Sequence, residues 1–334
     1  MSVRGLLETR EMETLSPLAQ RSAGTRGRAK PISPDDLRTE YQRDRDRILH
    51  SKAFRRLKGK TQVFLSPEGD HYRTRLTHTL EVNQVARTIA RSLCLNEDLT
   101  EAIALGHDLG HTPFGHAGEN ALRDMLPDGF EHRQQSRRVV EVLEKDGEGL
   151  NLTFEVINGI EHHSGRVHPI TLEGNCVHLA DRIAYVNHDI DDAIRAGLLT
   201  EEDLPRMASA RLGHSHGERI SNMIASIVRA SFNMPVVQME ADAWDALLEL
   251  RSYLFKHVYS REWAEGELRK TEHIVRELFL YYTPHPADMP NEYLEIAYRE
   301  GSDRAAADYV AGMTDRYAIH AYEHLYIPPF FNEY

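Results

Sequence analysis

The chain has 334 residues, 41% hydrophobic and 28% charged, which is long for one ordinary domain but within reach of a large all-helical enzyme. A core of that size needs neither disulfides nor a structural metal, and the two cysteines, Cys94 and Cys176, read as buried reduced thiols of a cytoplasmic protein. A net charge of −12 excludes a general polyanion-coating surface, no apolar run is long enough to span a membrane, and the N-terminus lacks a secretory apolar stretch.

Residues 1–32 are polar, non-periodic and rich in Arg, Gly and Ser, which predicts a mobile basic arm carrying Arg21, Arg26, Arg28 and Lys30. Ser33-Pro34-Asp35-Asp36 has the capping residue, proline and acids of a helix start, and that helix is expected to run to about Leu57. Basic residues gather from Arg43 to Arg75; solvated helix faces account for more than half of them. Thr61 to Tyr72 fits a short extended piece and turn, or a small hairpin near 61–73. From Leu76 the period is helical: Val82, Val85, Ala86, Ile89, Ala90 and Leu93 share a face, and His78 falls on it. Further helices are expected over about 98–107, 115–125, 132–145, 154–163 and 175–196, with Gly106 and Gly110 letting the chain turn. Beyond Gly197 the pattern continues over 218–230, 241–259, 270–281 and 305–326. The class is all-α: a core over 33–200 and a C-terminal helical region over 201–334 packed on it.

The run Leu105-Gly-His-Asp-Leu-Gly-His-Thr-Pro-Phe-Gly-His-Ala-Gly-Glu119 carries three histidines and two carboxylates within thirteen positions. Histidine is the compositional outlier, with 19 residues, and eleven of them fall between His71 and His188. The adjacent pair His107-Asp108 offers an imidazole nitrogen and a carboxylate oxygen, suited to Mn, Fe, Co, Ni or Zn and less well to Mg. Asp181 lies between Val177 and Ala184 on a face that reads as buried, where a charge is costly unless paired or bound to a metal. Alone, His78 reads better as a core histidine, and Asp181 equally well as half of a salt bridge. Together, His78, His107, Asp108 and Asp181 make one metal site with positions open for water and substrate. His116 and Glu119, three apart on a helix start, share a face: His116 suits proton transfer and Glu119 its orientation, although a first-turn acid facing the helix dipole is the competing reading.

His78, His107-Asp108 and Asp181 resemble the H…HD…D signature of the HD-domain metal phosphohydrolases. The longer run resembles the deoxyguanosinetriphosphate triphosphohydrolase-like proteins, bacterial dNTP triphosphohydrolases related to the animal dNTPase with an HD domain. Ala53–Phe64, Arg73–Val82, Glu161-His-His-Ser-Gly165 and His178–Tyr185 extend the likeness, which is strong over 35–200 and general beyond it. The resemblance implies a helical HD bundle and one divalent metal per site (Mn, Mg, Co, Fe, Ni or Zn). It implies hydrolysis of deoxynucleoside triphosphates, dGTP or several, to deoxynucleoside and inorganic triphosphate. It places His111 and His132 near the phosphates, His111 within the catalytic group. A triphosphate needs several cations, for which Arg56 (or Arg55), Lys60, Arg75 and Arg182 are the candidates. Tyr185 and Asp189, one and two turns beyond Asp181, can line the same cavity. By resemblance Tyr185 meets the sugar 2′ position, Asp189 the 3′-hydroxyl, and Gln62 also reads the sugar. The family further implies an activating dNTP and a homo-oligomer such as a hexamer; the basic arm suggests weak single-strand binding. The alternatives are an HD phosphohydrolase acting on a monophosphate or a guanosine polyphosphate, and a dNTP- or nucleic-acid-binding regulator with little turnover. His162-His163 reads as a polar loop or helix end beside the site, with a phosphate contact as the alternative, His214 and His216 as an exposed turn, and the final Ile-Pro-Pro-Phe-Phe-Asn-Glu-Tyr as a docking tail.

Overall fold

The computed structural model describes residues 2–62, 73–259 and 262–328. Among these the protein is all-α, with two isolated antiparallel bridges, Arg28 to Thr153 and Thr61 to Thr74. The second bridge closes the ends of the expected hairpin, whose middle lies outside the described residues, as does the tail from Pro329. No described helix is long and apolar enough to cross a membrane.

Two apolar clusters organise the helices. The first is centred on α4 (Arg75–Ser92), α5 (Glu97–Gly106) and α10 (Leu172–Arg195), which pack on one another, with α2 (Glu40–Leu49) against α5. Val82, Val85, Ala86 and Ile89 of α4 are buried as their period predicts, and His78 shares that face. Thr74 caps α4 by accepting from Thr77 N, and Asn96 caps α5 by accepting from Asp98 N and Leu99 N. α9 (Phe154–Glu161) closes over α5 and α7 (His132–Arg138). The helices α11 (Arg206–Leu212), α12 (His216–Ser231) and α13 (Ala241–Leu254) extend the same cluster.

The second cluster joins α6 (His116–Met125) to α14 (Glu262–Tyr282), α15 (Asn291–Glu300), α16 (Ser302–Ala311) and α17 (Asp315–Tyr326). Phe114, Ala117, Ala121 and Leu122 supply its N-terminal side, and Val275, Leu278 and Phe279 are buried in it with them. The C-terminal helices therefore hold the segment that carries His116 and Glu119. Asp315 completes the clamp: its Oδ1 accepts from Phe114 N at 2.9 Å and its Oδ2 from Thr61 N at 2.8 Å.

Several boundaries differ from expectation. Residues 3–14 form a helix, α1 (Val3–Thr14), where a non-periodic arm was expected. The cations of that segment are engaged within the chain: Arg28 is ion-paired with the buried Asp44 and with Glu40, Arg26 lies 3.9 Å over the Phe154 ring, and Lys30 Nζ donates to Glu148 O. The arm is thus tied down by its charges rather than by apolar periodicity, which is why its pattern was silent. The expected helix from Ser33 to Leu57 begins only at Glu40, because Asp35 Oδ1 accepts from Leu37 N and Arg38 N in a local turn that competes with the helix. It breaks at His50, and Ser51 caps a separate α3 (Lys52–Arg56) by accepting from Phe54 N. The stretch 132–145 leaves α-geometry after Arg138 through a π-turn, ending in the short α8 (Glu144–Gly147), within which Lys145 and Asp146 are left-handed. The expected 305–326 helix is two, broken at Gly312-Met313-Thr314. Cys176 is buried and free, whereas Cys94, also free, is exposed at a left-handed turn.

Candidate metal centre

α4, the end of α5 and α10 meet at four side chains. His78 Nε2 lies 3.1 Å from Asp181 Oδ1 and 3.9 Å from Asp108 Oδ2. His107 Nε2 lies 3.6 Å from Asp108 Oδ2 and 3.8 Å from Asp181 Oδ1. Metal–ligand bonds of about 2.1 Å place neighbouring ligand atoms roughly 3.0–3.4 Å apart, so a small contraction of this ring encloses a divalent ion. The state of His107 tests that fit. Its Nδ1 donates to Ala104 O at 2.7 Å, which fixes the proton there and leaves Nε2 as a lone pair. That Nε2 is fully buried and has no hydrogen-bond partner among the described residues. A buried lone pair facing two carboxylates fits a metal-ligand position, since otherwise its desolvation would go uncompensated.

Electrostatics agree. Burial opposes ionisation of Asp108, yet His107, Arg75, His111 and His78 hold its carboxyl well below the usual carboxylate range. Asp181 is likewise held low against burial by the hydrogen bond from His78 and by His107. Both carboxylates are therefore charged, as a cation site requires.

A second cluster begins one turn later. His111 stacks on His132 with centroids 4.2 Å apart, and its Nε2 is 3.9 Å from Asp108 Oδ1. Glu119 Oε1 accepts from His132 N at 3.0 Å and faces His132 Nδ1 at 3.0 Å, while Oε2 stands 3.4 Å from His116 Nδ1. Glu119 thus grips His132 more closely than His116. Burial opposes ionisation of Glu119, but His116 and His132 hold it far below the usual range; burial also opposes the charge on His132, but Glu119 raises it. Burial, with Arg75 and His132 beside it, keeps His111 neutral. His116 is the accessible member, its side chain 61% exposed.

The spacing of the two clusters depends on Gly110. A Cβ there would overlap the Ser136 amide nitrogen and the Gln135 carbonyl carbon of α7. Only glycine lets the chain pass so close to the helix that carries His132. Ser136 fastens the contact: its Oγ accepts from Gly110 N at 2.9 Å and donates to His107 O at 2.7 Å.

Residues 75–186 match the HD domain family and residues 237–324 the phosphohydrolase-associated domain. A deoxyguanosinetriphosphate triphosphohydrolase-like protein of Caldanaerobacter subterraneus subsp. tengcongensis is 55% identical over 100% of this chain and 98% of its own length. One of Clostridium perfringens is 49% identical, covering 99% of each chain. The chain belongs to the deoxyguanosinetriphosphate triphosphohydrolase-like proteins. It is a metal-dependent phosphohydrolase of the HD group. A solved phosphohydrolase from Bacteroides thetaiotaomicron shares the fold, with a TM-score of 0.54 at 16% identity, over 84% of this chain and 67% of that one.

The remaining expected contacts of this phosphohydrolase are distributed unevenly. Arg75 is buried beside the ring, donating from Nη1 to Asp108 Oδ2 at 2.6 Å. Gln62 is buried, and its backbone carbonyl oxygen lies beside Gly115. Tyr185 and Asp189 are hydrogen-bonded to each other one turn apart on α10, and burial and Asp192 raise the Asp189 carboxyl well above its ordinary range. Lys60 is not brought into the ring. Its buried Nζ donates to His111 O and, at 2.8 Å, to Ala311 O, so it joins the two apolar clusters; burial and Arg56 push it down to about 7. Arg56 lines a groove with Tyr293, Tyr309 and Tyr317 and stands 3.9 Å from Glu144, while Arg55 donates to His50 O. Arg182 lies 5.3 Å over the Trp244 ring.

Sequence reasoning missed two members, Glu81 and His188, and placed a third beside the site without giving it a role. That third, His163, read as a polar loop or helix end, is buried with Nδ1 on Ile160 O at 2.7 Å, and its ring is 5.0 Å from that of His107. Burial, His107 and His132 push it down to about 3, so it is neutral at the ring's edge. His188 Nδ1 lies 3.3 Å from His78 Nδ1, and its Nε2 lies 2.8 Å from Glu81 Oε2. The signals were present: Glu81 is three residues past His78 on α4, and His188 seven past Asp181 on α10, each on the ligand's own face.

Proposed function

We propose that this phosphohydrolase cleaves deoxynucleoside triphosphates to deoxynucleoside and inorganic triphosphate, with one divalent metal held by His78, His107, Asp108 and Asp181. The observation that carries the reading is the convergence of those four donors around the partnerless His107 Nε2; the names of the relatives supply the substrate class. The bound metal would supply Lewis-acid polarisation of a phosphoryl oxygen and an acidified water. His116, exposed at the mouth and backed by Glu119, delivers the proton to the leaving 5′-oxygen. Glu119 also fixes His132 against His111, which presents neutral imidazole to the phosphates. Arg75 sets the Asp108 carboxylate and offers the remaining guanidinium edge to phosphate. Tyr185, Asp189 and Gln62 supply the polar wall for the sugar. Homo-oligomerisation and an activating deoxynucleotide rest on the family resemblance alone, and a cytoplasmic setting on the reading of the two cysteines as reduced thiols.

The test is incubation of the protein, reconstituted with Mn²⁺ and then Mg²⁺, Co²⁺ and Fe²⁺, with the four dNTPs singly and mixed. Deoxynucleoside plus intact triphosphate is the expected product. Release of orthophosphate alone, or no turnover in any mixture, would overturn the reading.

A further inference from the structure

His78 needs a fixed tautomer to serve the ring, because a neutral imidazole ligates through a nitrogen that carries no proton. Its Nε2 faces Asp181, Asp108 and His107. Without a metal, Nε2 donates to Asp181 Oδ1 at 3.1 Å; when a metal takes that place the proton must sit on Nδ1, which is buried and whose partner among the described residues is His188 Nδ1 at 3.3 Å. Among the described residues, no backbone carbonyl performs for His78 what Ala104 O performs for His107.

We infer that Glu81 and His188 form a positioning relay that fixes the ligating tautomer of His78. Glu81 can only accept, so it draws the His188 proton to Nε2 across 2.8 Å. His188 Nδ1 is then a lone pair, able to accept from His78 Nδ1–H, and His78 Nε2 is left bare toward the ring. The direction of each bond follows from the one before, starting at a carboxylate with no alternative. Arg73 anchors the outer end, holding Glu81 at 3.2 Å while bonding Asp192 at 2.9 Å and Asp191 at 3.1 Å on α10. The relay therefore also ties α4 to α10, the two helices that supply His78 and Asp181. Outer-sphere partners of this kind typically change metal affinity by about 10–100-fold when removed. The inference rests on the four-ligand reading of the ring.

The experiment is Mn²⁺ titration of the metal-stripped, full-length protein, followed by the electron paramagnetic resonance signal of free Mn²⁺, with the melting temperature of the stripped protein measured alongside. His188→Leu removes the acceptor and should weaken Mn²⁺ binding about 10–100-fold. His188→Asn places Oδ1 near the position of Nδ1 and should restore most of the affinity. Glu81→Ala serves if His188→Leu does not fold, since Glu81 reaches solvent; it should weaken binding several-fold, and Glu81→Gln, which keeps an acceptor, should weaken it less. Wild-type affinity in both His188→Leu and Glu81→Ala would overturn the relay, as would a His188→Asn protein no better than His188→Leu at equal melting temperature. A wild-type protein that binds no Mn²⁺ would instead overturn the metal reading itself, and the relay with it.

Discussion

Two histidine clusters meet across Gly110, and the same side chain has a different office in each. In the inner ring the far nitrogen of each imidazole is committed: His107 Nδ1 to Ala104 O, His78 Nδ1 to His188. Both rings are buried, and the facing carboxylates are held ionised. Such imidazoles cannot take up a proton without losing the lone pair that faces the ring. In the outer cluster His132 is paired with a carboxylate, and His116 reaches water. Burial and the partner of the second nitrogen set the two clusters apart, in keeping with the proposed division between ligands and acid–base groups.

Four substitutions sharpen or break that contrast. Asp108→Ala should lower metal-dependent turnover about a thousandfold or more, roughly 4 kcal/mol, and His107→Ala should match it; full metal-dependent activity in either would remove the inner ring from the chemistry. Gly110→Ala forces a Cβ into the α7 backbone and should cost about 3 kcal/mol of stability, read as a lowered urea midpoint at unchanged slope. An unchanged midpoint would show that the close approach does not set the spacing. His116→Ala should reduce turnover about a hundredfold while Mn²⁺ affinity stays at the wild-type value. If affinity falls with turnover, the two clusters are not functionally distinct.

Glu119→Gln should have the smallest effect on stability, about 1 kcal/mol, and one that depends on pH. His132 is raised above its ordinary value, so its contribution is fully present below about pH 6.5 and is lost as the pH rises through the raised value. Glu119 is depressed, so its contribution is present above about pH 4.5 and is lost as the pH falls from there. The difference in melting temperature between variant and wild type should therefore be greatest between those limits and shrink on either side. A difference independent of pH would mean that the pair is not ionic.

The sequence by itself determined the helices whose apolar faces repeat at 3.6 residues. α4, α5, α9 and α10 fall where the pattern put them, because Val82, Val85 and Ile89 bury the stripe that they display. It also brought His78, His107, Asp108 and Asp181 together on paper, since a carboxylate on an apolar face and a His-Asp doublet between glycines have few structural uses. It could not show α1 or the fastening of residues 15–30, which runs through the ion pairs of Arg28 with Asp44 and Glu40 and through hydrogen bonds to Glu173, Glu155 and Cys94 O, and has no period. Nor could it show that Lys60 turns to backbone carbonyls, that Arg182 stacks on Trp244, or that Glu119 prefers His132. Those outcomes depend on which surfaces meet. His188 and Glu81 are unremarkable until α10 packs on α4, and the proton on His78 has no assigned place until they do. Residue type and spacing fix which atoms are able to ligate; only the packing of separate helices decides which lone pair is left without a partner, because that depends on distances between groups remote in the chain.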